Sequence, residues 1–226
     1  MIYLYILSSL SILFSKELPI GLTNEEKLRI HEIPFMARQT DPPIGPIRNI
    51  AEYEKMQGVL IRYPFGIPID LITEIAEDVK IFCLVSNNQQ SLAQNTLINA
   101  GIDLNNIDFI LGNTDSYWTR DYGPWWIING ENKMSVVDFT YNRPRQNDNQ
   151  APLKISQHLD VPYYASDIIH AGGNYMTDGF GTAASSDLVF EENVNTDEQI
   201  LDLMNSYYGI DNYLSLIHIS EPTRPF

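Results

Sequence analysis

SYWTRDYGPWW, Ser116–Trp126, sets five aromatic side chains around a single Arg–Asp pair. The stretch follows an apolar run, NIDFIL (106–111), and leads directly into PWWIINGENKMSVVDFTY (124–141). That second segment reads as two strands joined around Asn129-Gly130, a strong hairpin signal. Trp118, Asp121 and Tyr122 are therefore expected in a loop between a strand and a hairpin, where functional side chains collect. A carboxylate beside an indole suits a planar cation, because the acid accepts paired N–H bonds while the ring face attracts charge. Guanidinium fits that description best. A core aromatic cluster, with Asp121 paired to Arg120 or capping a turn, accounts for the same residues.

Outward from this stretch the chain alternates strand and helix patterns. GVLIRY (58–63) reads as a strand, and IPIDLITEIAEDV (67–79) as a helix with Ile67, Leu71, Ile72 and Ile75 at helical spacing. VKIFCLV (79–85) has strand length and encloses Cys83; QQSLAQNTLINAG (89–101) reads as a helix stopped by Gly101. Beyond the hairpin come a helix over Ala151–Leu159, a strand near Val161, a hairpin around GGNYMTDGFGT and a helix in TDEQILDLMNSYYG ended by Gly209. Ahead of all this, TNEEKLRIHE (23–32) is a short helix candidate capped by Thr23 or Asn24, and DPPIGPIRN (41–49) reads as a linker. The pattern is mixed α/β. It divides into an N-terminal segment and Pro-rich linker at 17–57 and a domain at 58–213.

Both ends read differently. The apolar run Ile2–Phe14 has the length of a signal-peptide core and is too short to span a bilayer, so 1–16 is a candidate signal peptide without a basic n-region. Export to the periplasm or beyond follows if it works as one, and a cytoplasmic location otherwise. LSLIHISEPTR (214–224) matches, without a gap, the translation of a transposase end and sequencing adapter, so 214–226 is set apart from the fold and His218 from the site.

A formal charge of −15, from 14 Lys and Arg against 29 Asp and Glu, argues against nucleic acid or an anionic membrane as partner; it favours a cationic substrate, with plain solubility as the alternative reading. One cysteine excludes an internal disulfide. No Cys pair or close His pair suggests a zinc site, and no phosphate-loop or dinucleotide fingerprint is present.

In YNRPRQND (141–148), Pro144 favours an extended Arg143, which places Arg143 and Arg145 on one side. The two guanidinium groups are then able to converge on one anion, most simply a carboxylate; two solvated arginines are the alternative. HAGGNYMTDG (170–179) adds His170, Asn174 and Asp178, beside glycines that allow close backbone approach or positive φ; Asp178-Gly179 reads equally as a plain turn, and His170 as a hydrogen-bonded structural residue. Asp115 and Asp121 with a stacking tryptophan would also suit a glycosidase, but that leaves the arginine pair without a role.

Together RNIAEYEKMQGVLIRYPFGIP, TDSYWTRDYGPWW, VVDFTYNRPRQND and HAGGNYMTDGFGT resemble the bacterial peptidylarginine deiminases of the Porphyromonas type, relatives of the agmatine deiminases among guanidino-modifying enzymes of the pentein fold. The resemblance runs from about Arg48 to Gly209. It implies an α/β propeller of ββαβ repeats, incomplete in this chain, and hydrolysis of peptidyl-arginine to citrulline and ammonia through a covalent cysteine adduct, without cofactor or metal. By position, Asp121 and Trp118 are similar to the residues that hold the substrate guanidinium. Arg143 and Arg145 are similar to those that hold a C-terminal carboxylate, with His170, Asn174 and Asp178 as candidate supporting residues. The family's His-x-Asp and nucleophilic Cys have no counterpart before residue 214, and Cys83 matches no nucleophile position. The fragment is thus expected to be inactive. Relatives acting on small substrates carry an acid before the Gly-Gly pair, where this chain has Ala171. The expected partner is an arginine-containing peptide or a small guanidino compound, with agmatine deiminase or a non-catalytic arginine-binding module as alternatives.

Overall fold

The computed structural model describes residues 17–215, so the run Ile2–Phe14 and His218 lie outside the described residues. Among the described residues, ten strands form three small sheets. β1 (Arg48–Asn49) pairs antiparallel with β5 (Trp125–Ile128), while β2 (Gly58–Arg62), β3 (Lys80–Val85) and β4 (Ile107–Leu111) form a parallel sheet in that order. β6 (Met134–Tyr141) lies between β5, antiparallel, and β7 (Tyr163–His170), parallel. β8 (Met176–Thr177) and β9 (Thr182–Ser185) form a hairpin, with β10 (Asn212–Ser215) added parallel to β9. The expected domain limit at residue 213 therefore falls inside β10.

The first parallel unit follows from periodicity. α2 (Ile69–Asp78) and α3 (Gln90–Asn99) are the crossovers, burying Ile72 and Ala76, and Ala93 and Leu97, four residues apart. Of the expected α2 stripe, Ile72 is in the core and Ile67, just ahead of the helix, and Ile75 pack against it, while Leu71 is 47% exposed because the i, i+4 pair Ile72/Ala76 faces the sheet. Those residues, with Ile61, Ile81, Cys83, Leu97 and Ile107, make one core. Gly101 and Gly209 both take positive φ where the sequence predicts helix ends.

The β5–β6 hairpin is present, but Ile128 pairs with Met134, so its loop is the longer Asn129–Lys133. Asn129 Oδ1 accepts the N–H groups of Glu131 and Lys133, and Asn132 takes φ 58°. Gly130 is needed for another reason: a Cβ there would lie 2.2 Å from the Gly45 carbonyl oxygen, against which the linker docks.

β6 is the spine of its sheet, with every residue from Ser135 to Tyr141 buried. Its parallel return passes through α5 (Gln146–Asn149) and α6 (Ala151–Leu159), the latter at its expected limits. α7 (Leu188–Glu192) and α8 (Asp197–Tyr208) pack beside β7, and α8 is capped by a reciprocal Thr196–Gln199 box. Asp138 is a buried carboxylate at the centre of β6, paired with Arg38 Nη2 at 2.8 Å and accepting from Tyr163 Oη at 2.5 Å. It anchors the segment that precedes the linker. In that segment the expected helix shortens to α1 (Asn24–Lys27), capped by Thr23, followed by a 3-10 turn over Ile30–Met36 that contains Pro34. Among the described residues no helix is long and apolar enough to cross a membrane.

Two outcomes follow. Cys83 is fully buried, and burial pushes its thiol up to about 12. A thiol reagent at pH 8 should label it only at the rate of unfolding, and immediate stoichiometric labelling would contradict this burial. Asp138→Ala leaves Arg38 without its partner and should cost about 3 kcal/mol in chemical denaturation.

Candidate active site

The aromatic stretch is not a loop. Thr119–Tyr122 forms one helical turn, α4, which points Asp121 inward and Arg120 outward. Arg120 Nη2 donates to Glu52 Oε1 at 2.7 Å and to the Tyr175 carbonyl at 2.8 Å, so it is not the partner of Asp121. Asp121 is only 9% exposed, and among the described residues no cation forms an ion pair with it. Burial pushes its carboxyl up, against the pull of Arg143, the Gly173 N–H, Arg120 and Arg145.

Gly172 and Gly173 sit directly over this turn. A Cβ on Gly172 would come within 2.3 Å of the Arg120 carbonyl oxygen, and one on Gly173 within 2.2 Å of Asp121 Oδ1. The glycine pair therefore serves close approach, not positive φ.

The turn is fixed to the arginine segment by a reciprocal carboxylate clamp. Asp148 accepts the N–H groups of Asp115 (2.7 Å) and Ser116 (3.1 Å) and the Ser116 hydroxyl (2.7 Å). Asp115 in turn accepts the Asn147 N–H (2.8 Å) and its side-chain amide (2.7 Å). Burial nevertheless pushes the Asp148 carboxyl up to about 6, against those donors. With Asp115 committed to Asn147, the paired-acid glycosidase arrangement is not formed.

Arg143 and Arg145 both turn toward the N-terminal segment. Arg145 is buried, with Nε donating to Glu26 Oε1 at 2.7 Å and Nη2 to Pro19 O (2.7 Å), Gly21 O (3.2 Å) and Glu26 Oε2 (3.3 Å). Arg143 is half-buried and donates to Ile20 O (3.1 Å) and Asn142 O (2.9 Å). The expected convergence on one external anion is thus corrected: the anion on Arg145 is Glu26 of the same chain. Trp118 meets the same segment, its Nε1 donating to Leu18 O at 3.0 Å.

The supporting candidates are placed elsewhere. His170 lies edge-on to Trp125 in the core, and burial lowers its pKa to about 4. It is therefore neutral at physiological pH. Its Nε2 lies 3.0 Å from Tyr213 Oη. Asn174 Oδ1 accepts the Ser186 N–H and hydroxyl, and Asp178 Oδ1 accepts the Phe180 and Thr182 N–H groups within the β8–β9 turn. Asp178 thus forms its own turn, while Asn174 ties its segment to Ser186, twelve residues on.

Three groups at the site were not read from the sequence. Glu26 lies 119 residues from its partner. Tyr141 ends β6 with a buried hydroxyl that has no partner among the described residues, within electrostatic reach of Arg145, Asp121 and Arg143. Glu192 accepts the Asn142 side-chain amide at 2.8 Å, and burial pushes its carboxyl up while Arg143 pulls it down. Only Tyr141 had a local signal, as the polar-tipped end of an apolar strand. Among the described residues no cluster of His, Cys, Asp and Glu could hold a metal ion. A separate apolar groove of about 560 Å³, lined by Leu60, Phe82 and Trp126 among others, lies against α4 without including Asp121.

The family model of the Porphyromonas-type peptidyl-arginine deiminases matches residues 67–221. The chain is 28% identical over 162 residues to a putative agmatine deiminase of Mycoplasma mycoides subsp. mycoides SC, covering 66% of this chain and 43% of that protein. It is 30% identical over 144 residues to the agmatine deiminase of Ectopseudomonas mendocina, covering 56% and 38%. It thus spans less than half the length of these relatives. The solved agmatine deiminase of Enterococcus faecalis superposes with a TM-score of 0.64 at 20% identity, over 78% of this chain and 56% of that one. The shared architecture is the α/β pentein type, and this chain holds part of it. The family match takes in the aromatic turn, the arginine pair and the Gly-Gly contact alike, and the chain belongs to the Porphyromonas-type peptidyl-arginine deiminase family.

Proposed function

We propose that this chain forms the guanidinium-binding part of a deiminase that hydrolyses a small guanidino compound of the agmatine class, releasing ammonia and leaving a ureido product. The observation that carries this reading is Asp121, a buried carboxylate without an ion pair among the described residues, held beside Trp118 by a turn pinned on both sides. An acid desolvated in this way gains most from a planar cation that donates two parallel N–H bonds. The names of the relatives support the small-substrate form over the peptidyl one. So does the engagement of Arg145, whose guanidinium is fully used or sealed.

Such hydrolysis needs a thiolate to attack the guanidinium carbon and a base to move protons. Cys83, sealed in the first core, and His170, buried edge-on against Trp125, are both closed off from a ligand and do not supply them. The residues assigned to the site in this chain bind and orient the guanidinium. Peptidyl-arginine remains the second reading, favoured by Arg143, whose Nη2 has no partner among the described residues.

Calorimetry on the chain should show agmatine binding that Asp121→Asn weakens by about 10-fold or more, the worth of a charge-assisted hydrogen bond. Unchanged affinity would remove Asp121 from the site. Only the ionised carboxyl binds the cation, and burial holds this one above the ordinary aspartate value. Affinity should therefore rise with pH through the acid range and level off above the raised pKa. In a full-length enzyme, kcat/KM for agmatine should exceed that for an arginine-terminated peptide, and the reverse order would restore the peptidyl reading.

A further inference from the structure

We infer that Glu26 sets the tail preference of this site: by taking the Nε–Nη2 edge of the buried Arg145, it leaves a ligand carboxylate no open arginine edge to pair with and excludes guanidino compounds that end in a carboxylate. The inference rests on the small-guanidine reading above and names the residue that enforces it.

The geometry is that of a substrate carboxylate held by an arginine. Glu26 Oε1 accepts from Nε at 2.7 Å and Oε2 from Nη2 at 3.3 Å, so one carboxylate takes the side of the guanidinium in the two-point manner such groups prefer. The side chains of Arg145 and Glu26 are 1% and 7% exposed. The second hydrogen on Nη2 has carbonyls of Pro19 and Gly21 to choose from. Nη1 has no partner among the described residues and is sealed from solvent. No edge of this guanidinium is open to a ligand unless the segment from Pro19 to Glu26 moves.

That segment is held by more than Arg145. Glu26 Oε2 also accepts the Thr23 N–H at 2.8 Å while the Glu26 N–H donates to Thr23 Oγ1, which closes a capping box around α1. Leu18 and Ile20 give their carbonyls to Trp118 and Arg143. The glutamate carboxyl lies below its ordinary value, because the Arg145 and Thr23 hydrogen bonds outweigh the opposing effect of burial. It stays charged, and the arginine stays neutralised, at any ordinary pH.

The test compares tails on a constant guanidinium. Binding of agmatine and of N-acetylarginine is measured by calorimetry on the wild-type chain, Glu26→Gln, Glu26→Ala and the control Glu25→Gln, a neighbouring exposed acid. Glu26→Gln keeps an acceptor for the Thr23 N–H, and so the cap, while removing the charge. The wild type and Glu25→Gln should bind agmatine and disfavour N-acetylarginine. Glu26→Gln should improve N-acetylarginine affinity about 10-fold, with agmatine within about two-fold, and Glu26→Ala should shift it further if it folds. A folded Glu26→Gln that binds agmatine normally and keeps the wild-type preference overturns the role of Glu26 alone. A wild-type chain that binds neither ligand overturns the small-guanidine reading, and the inference with it. Improvement in Glu25→Gln equal to that in Glu26→Gln would assign the preference to overall negative charge and also overturn it.

Discussion

The reciprocal clamp between Asp115–Ser116 and Asn147–Asp148 is the constraint on which the site depends. Each end donates backbone N–H groups to the other's carboxylate, so neither the aromatic turn nor the arginine segment can shift alone. α4 is too short to hold itself: four residues give hardly any helical cooperativity. Its geometry is imposed by the clamp on one side and by the Gly172–Gly173 backbone on the other. Asp121 is directed into the interior by two tertiary contacts, and its own sequence neighbours have little part in that.

The carboxylates show what distinguishes a site from a scaffold. Asp138 is 2% exposed, yet Arg38 and Tyr163 both answer its Oδ2. Asp148 has three donors. Glu26 has Arg145 and a cap. Asp121 is buried too, but among the described residues it has neither the ion pair of Asp138 and Glu26 nor the three donors of Asp148, only the Gly173 N–H, and that asymmetry marks it.

The sequence made the regular parts legible where local periodicity and end signals agree. α3, α6, α8 and the strands β2, β3 and β4 fall within a residue or two of expectation because each carries its own stripe, cap or stop. The hairpin was visible from Asn129-Gly130, but its loop length was not, because Gly130 answers the backbone of Gly45 and not a two-residue turn. Asp121, Trp118 and the arginine pair were legible as residues with chemistry to do. What each one touches was not: the partner of Arg145 lies 119 positions away and that of Trp118 100 positions away, and no spacing rule reaches so far.

The anchoring of the N-terminal segment bears on the order in which the molecule is assembled. Leu18, Ile20, Glu26 and Arg38 all find their partners 100 or more residues later in the chain. On a ribosome, which delivers the N-terminus first, these residues emerge long before Trp118, Asp138, Arg143 or Arg145 exists. This segment, made long before its partners, is thus among the last to be placed. It waits for the spine strand β6 and the turns at its ends before its own contacts close over them.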